Sequence, residues 1–135
     1  MAGPVVHTYR AAESGLYVNS YLVEGESGVV VVDTNLLASD IEALRARLRA
    51  LKKPLLAILL THAHPDHFNG LPELLKRFAV GRVTLTPSFS DKSTPGVAAA
   101  LASFERHRVA VRVAVAGERF DAGPVAFDVL HPPAQ

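Results

Sequence analysis

Leu55-Leu56-Ala57-Ile58-Leu59-Leu60-Thr61-His62-Ala63-His64-Pro65-Asp66-His67-Phe68-Asn69-Gly70 sets a run of apolar residues directly against three histidines and an aspartate. The run from 55 to 60 is apolar enough to be a buried strand. Leu71, Leu74, Leu75 and Phe78 follow at helical spacing, with Pro72 where a first helical turn tolerates proline. The polar cluster therefore falls in a strand-to-helix turn, at the carboxyl end of a strand. Imidazole nitrogen and carboxylate oxygen are the ligand types for zinc, iron(II) or manganese, whereas soft sites use thiolates. The chain has no cysteine, so a metal held here is held by N and O atoms.

Working outward, Gly28-Val29-Val30-Val31-Val32-Asp33 reads as a strand, and its Val29–Val32 run without alternation as one buried on both faces. Residues 16–23 form a preceding strand, and Glu24-Gly25-Glu26-Ser27 is a polar link suited to a hairpin. Ser39 and Glu42 have capping-box spacing, and Ile41, Leu44, Leu48 and Leu51 follow on one helical stripe. Lys52 and Lys53 complement the dipole at the end of that helix, and Pro54 stops it. Downstream, Gly81 to Thr86 reads as a strand and Pro87 to Ser93 as a polar loop. Thr94-Pro95 starts a helix that runs to about His107, and Val109–Val115 and Pro124–Leu130 return to strand. Strand, helix, strand, helix, strand is an α/β arrangement.

Length and composition narrow the class. The chain has 135 residues, enough for one domain, with 49% apolar and 20% charged residues. A net charge of +1 supplies no basic field, which makes nucleic acid an unexpected partner. No segment is long and apolar enough to cross a bilayer, and Met1-Ala2-Gly3-Pro4 lacks the features of a signal peptide. The absence of cysteine fits a reducing compartment, so a cytoplasmic protein is expected.

In the 61–70 turn, His62 and His64 can converge on one ion while Asp66 and His67 face a second. Two ions about 3.5–4 Å apart polarise a carbonyl or phosphoryl oxygen and supply hydroxide near neutral pH. Asp66 is also the candidate catalytic carboxylate, able to orient water or protonate a leaving group. Asp33 lies on the same sheet edge if its strand neighbours the 55–60 strand. There it reads either as an acceptor for a ligand histidine or loop amide, or as a turn residue beside Thr34 and Asn35. His7 and His107 read as surface residues, and the basic residues of 45–53 as the solvated face of a helix. The Ser88, Ser90 and Ser93 loop reads as an ordinary connection.

His62-Ala63-His64-Pro65-Asp66-His67 resembles the H-x-H-x-D-H signature of the metallo-β-lactamase superfamily, and Val31-Val32-Asp33-Thr34 resembles its preceding strand and aspartate. Leu71–Phe78, Val80–Val83 and Val129-Leu130-His131-Pro132-Pro133 further resemble the related domain of competence DNA-uptake channel proteins. The resemblance implies the N-terminal half of an αββα sandwich, with a mixed sheet and helices on one face. It also implies one or two zinc ions, with iron or manganese possible, on His62, His64, Asp66 and His67.

The family's second half would bring a further histidine after a Pro-Gly turn, a bridging aspartate and a last histidine. Here Pro133-Ala134-Gln135 stands at that turn, so residues 1–135 read as a single truncated domain. His131 reads as a strand-end residue, with ligation as the alternative. The expected function is metal-dependent hydrolysis of a small-molecule substrate, incomplete in this chain. The alternatives are a self-associating homodimer with a vestigial metal loop, and a nuclease-like accessory of DNA uptake.

Overall fold

A computed structural model describes residues 3–61, 68–85, 95–115, 117–122 and 125–128. Six strands form one mixed sheet in chain order: β1 (Val5–Arg10), β2 (Asn19–Glu24), β3 (Val29–Val32), β4 (Leu55–Leu59), β5 (Val80–Leu85) and β6 (Ala110–Val113). β1, β2 and β3 are antiparallel neighbours, while β3 to β6 run parallel. The parallel strands are joined by α1 (Ala38–Ala50), α2 (Leu71–Arg77) and α3 (Pro95–Arg106). Successive right-handed crossovers that advance in one direction along a sheet put their helices on one face. Leu44 and Leu48 of α1, Leu71, Leu74 and Leu75 of α2, and Val97, Ala100 and Phe104 of α3 accordingly share one core. Their sheet partners there include Leu22, Val29, Val31, Ile58, Leu60, Val83 and Leu85. The α/β class, the mixed sheet and the one-sided helices are those expected from the sequence.

Val30 and Ala57 point to the opposite face, beside Val23 and under Phe127. Val29, Val30 and Val31 are thus buried from both sides, which explains a valine run without alternation. The register between β3 and β4 slips by one residue, from Val29↔Leu55 to Val30↔Ala57. That bulge lets Leu55 and Ile58 both join the helix-side core, so β4 shows no simple period of two. The second face is partly covered by the hairpin of β7 (Arg119–Ala122) and β8 (Val125–Asp128). Phe120 and Phe127 stack there at 5.4 Å, and Arg112 lies over the Phe120 ring. Between hairpin and sheet lies a cavity of about 240 Å³ lined by Ala57, Arg82, Thr84, Phe120 and Asp121.

Two strands, β1 and β7, were not foreseen, the strand expected over Pro124–Leu130 is present as β8 among the described residues, and two expectations are corrected. Residues 16–18 precede β2 instead of belonging to it, with Leu16 and Tyr17 at φ 62° and 55°. The Ser39–Glu42 capping box does not form, because α1 begins at Ala38 with Leu37 as its N-cap and no side-chain cap. Leu36, just ahead of that cap, accepts from Asn69 Nδ2 through its carbonyl at 2.6 Å. Among the described residues no helix is long and apolar enough to cross a membrane.

Candidate metal centre

β3 and β4 are parallel neighbours, so the chain leaves both at the same edge of the sheet. Beyond β3, the Asp33 N–H still donates to the Leu59 carbonyl at 2.9 Å, which holds Asp33 against the end of β4. Asp33 takes up φ 62°, a left-handed conformation that aspartate tolerates better than most residues. Its carboxylate then faces Thr61. Oδ1 accepts the Thr61 N–H at 2.9 Å, and Oδ2 accepts the Thr61 hydroxyl at 2.7 Å. Asp33 is 4% exposed, so both bonds are made by a buried anion and are of the stronger, charge-assisted kind.

The next residues extend this anchorage. Thr34 Oγ1 accepts the Gly70 N–H at 3.0 Å, and the Leu36 carbonyl accepts from Asn69. Asn35, at φ 66°, receives the Ser20 hydroxyl at 2.6 Å and donates to the Val18 carbonyl at 3.2 Å. Phe68 is buried in the helix-side core. A Cβ on Gly70 would strike the Thr34 carbonyl, so only glycine allows α2 to come this close. The turn from Asp33 to Leu36 therefore grips the chain on both sides of residues 62–67, at Thr61 and at Asn69-Gly70.

His62, His64, Asp66 and His67 lie within 62–67, outside the described residues, as does His131. Among the described residues no three His, Asp or Glu side chains come together as a metal site. Of the candidates read from the sequence, the structure places Asp33, and places it on the residue immediately before His62. Sequence reasoning missed Thr61, Thr34, Asn35 and Asn69. Their one local signal was the Asp-Thr-Asn run after a strand, residue types that tolerate left-handed turns and bond to backbone. The donors within 62–67 are three imidazoles and a carboxylate, an all-N/O set that fits a borderline divalent ion such as zinc.

Two other polar groups flank the sheet, Tyr9 on this same edge opposite Ser20 and Glu24 at the opposite end of β2. The Tyr9 hydroxyl donates to Asp40 at 2.6 Å, and that bond raises the Tyr9 pKa above the usual phenol value. Glu24 binds Lys53 and His7, each at 2.9 Å, and is held below the usual carboxylate range, chiefly by Lys53.

The sheet topology and the turn after β3 that grips Thr61 and Asn69-Gly70 have counterparts among known proteins. The sequence profile of the metallo-beta-lactamase superfamily matches residues 14–134. The chain belongs to the metallo-β-lactamase superfamily. Type A flavoprotein fprA of Rhodobacter capsulatus is 38% identical over 76 residues, covering 55% of this chain and 17% of that protein. Ribonuclease J of Sinorhizobium meliloti is 30% identical over 98 residues, covering 71% of this chain and 16% of that protein. The structure of metallo-beta-lactamase SMB-1 superposes with a TM-score of 0.58 at 22% identity, over 81% of this chain and 44% of that one. The superfamily chain described here thus spans less than half of that structure and about a sixth of those two relatives. Members of the superfamily typically bind metal ions.

Proposed function

We propose that this superfamily chain carries the ligand segment of a metal-dependent hydrolase. The observation that supports this most is the double anchorage. Asp33 fixes the residue before His62, and Thr34 fixes Gly70 on the far side, so an N/O donor set is held between rigid elements. In this reading His62 and His64 hold one ion and Asp66 and His67 a second, zinc being preferred and iron or manganese compatible. When bound, such ions act as Lewis acids toward a carbonyl or phosphoryl oxygen. Asp66, the one carboxylate of the segment, orients a water or returns a proton to the leaving group. Asp33 contributes by holding Thr61, which limits how far the two histidines behind it can swing.

Four donors over two ions leave two for each, below the three protein ligands of an ordinary catalytic zinc site. The reading therefore draws further donors from outside 62–67, with His131 a candidate among them. The substrate class is a small ester, thioester or lactam. A phosphodiester substrate is the second reading, favoured by the likeness to ribonuclease J over 71% of the chain. It also agrees with the resemblance to DNA-uptake proteins.

Metal content per chain, measured by inductively coupled plasma mass spectrometry on chelator-free protein, tests the proposal. Retained metal that is lost in His62→Ala and His64→Ala, with ester or phosphodiester turnover lost in parallel, is the expected result. Folded protein that holds no metal would overturn it. Turnover of bis(p-nitrophenyl) phosphate but not of p-nitrophenyl acetate would select the second substrate class.

A further inference from the structure

Among the described residues the six-stranded sheet ends in two open edges, β1 and β6. An exposed edge is a template for pairing with another strand unless something blunts it. β1 is blunted. The Ala11 N–H donates to the Val18 carbonyl, so by alternation Thr8 turns its own N–H and C=O away from β2. Arg47 of α1 donates to that Thr8 carbonyl at 3.2 Å and so occupies the middle of the edge. Val5 and Val6 are exposed there, but as chain neighbours they lie on opposite faces.

β6 is built differently. The Ala114 N–H donates to the Leu85 carbonyl at 2.8 Å, so Ala110 and Arg112 also turn toward β5 while Val111 and Val113 turn outward. Val111 and Val113 are registered with Val83 and Leu85 of the helix-side core, which puts both side chains on that one face. They are 45% and 53% exposed, whereas Val29–Val31 of β3 are buried. The one charge on the strand, Arg112, lies on the other face, over the Phe120 ring and 3.3 Å from Glu118. It is drawn toward the hairpin and does not guard the edge.

We propose that β6 is a self-pairing edge, joining antiparallel to β6 of a second copy about a two-fold axis at Val111. Two registers keep the helix faces of both copies on one side, one centred on Val111 and one on Arg112. Centring on Arg112 sets two guanidiniums directly opposite each other, which is destabilising. Centring on Val111 sets Val111 against the partner's Val111, Val113 against the partner's Val109 and Arg112 against the partner's Ala110. No like charges meet. The two Val111 residues exchange N–H and C=O, and each Val113 N–H reaches a Val109 carbonyl. The Val109 N–H, already given to the Phe104 carbonyl at 3.0 Å, is not required. A second copy suits this edge better than a foreign strand because it supplies valines at the same alternation. A four-residue seam falls below the roughly 1,200 Å² of a stable interface, so the dimer is weak and reversible.

Sedimentation equilibrium of the full chain from about 10 μM to 1 mM should show a reversible dimer of twice the 14.4 kDa chain mass. Val111→Lys, at an exposed position, should keep its circular dichroism and lose the dimer, because two ammonium groups then meet at the axis. Val6→Lys, on the other edge, should leave the dimer intact. The chain has no cysteine, so Val111→Cys puts a single thiol per copy on the axis. Facing Cα atoms of an antiparallel pair are about 5.5 Å apart, within disulfide reach. Mild oxidation should therefore link Val111→Cys into dimers and leave Val6→Cys unlinked, a result that decides the matter even if the lysine variant unfolds. A monomer at every concentration would overturn the proposal and leave the edge to a foreign strand or to none. A dimer that survives Val111→Lys, or that is lost in Val6→Lys, would overturn it too. None of these readouts depends on metal, so their failure leaves the hydrolase reading untouched.

Discussion

Replacing Asp33 tests whether the grip on Thr61 is what holds the ligand segment. Asp33→Ala removes two charge-assisted hydrogen bonds, at 2.9 and 2.7 Å, and leaves the Thr61 N–H and hydroxyl without that acceptor. Hydrogen bonds to charged groups contribute about 1.5–3 kcal/mol each, so the loss is about 3 kcal/mol even at the low end. Alanine also sits at φ 62° without the local hydrogen bonding that lets aspartate stay there. That adds about 1 kcal/mol, for a total near 4 kcal/mol out of a typical 5–15 kcal/mol. Asp33→Asn keeps the shape, tolerates the same φ, and still accepts the Thr61 N–H through Oδ1. Its Nδ2 faces the Thr61 hydroxyl, which can turn from donor to acceptor, so the cost should be about 1–2 kcal/mol. Guanidinium denaturation gives both values, provided the slope is unchanged. Metal content on the same samples should fall in the same order, wild type above Asn above Ala. An alanine variant within about 0.5 kcal/mol of wild type, the range of ordinary surface changes, would refute the anchorage.

Gly70→Ala drives a methyl against the Thr34 carbonyl and to 3.0 Å from Ile41 Cγ1. It should cost about 1–3 kcal/mol and reduce metal retention, and an unaltered thermal melt would contradict the close approach of α2. Glu24 is held below the usual carboxylate range by Lys53 and His7, so its contribution is present above that range and lost as pH falls through the depressed value. Glu24→Gln should flatten the acid limb of the stability–pH curve, and superimposable acid limbs would count against the cluster. Lys52 closes α1 at φ 55°, and Lys52→Gly should raise stability by about 0.5–1 kcal/mol, read as a higher urea midpoint.

The parallel core was legible because burial on two faces leaves a plain mark: Val29–Val32 and Leu55–Leu60 have no polar positions to misplace. β1 escaped because it lies at the sheet edge with most of its side chains exposed, so Val5-Val6-His7-Thr8-Tyr9-Arg10 carries little pattern of its own. The β7–β8 hairpin escaped because its strands have four residues each and are joined by a cross-strand Phe120–Phe127 stack, not by an apolar run. The capping box misled because Ser-x-x-Glu spacing is a local signal, and Ser39 already lies inside α1, which begins at Ala38.

The same contrast separates the legible part of the candidate metal centre from the rest. Donor types and their spacing are written consecutively in 62–67, whereas the anchors join residues 28 to 36 positions apart. Asp33 could be read from sequence as a turn residue or as an acceptor, as though one excluded the other. The structure makes each depend on its partner. The left-handed φ of the turn aims the Asp33 carboxylate at Thr61, and the next residue presents its hydroxyl to Gly70. Two consecutive side chains thus fix the two ends of the donor segment. A substitution that spares every histidine but disturbs this turn should therefore weaken metal binding as surely as the loss of a ligand.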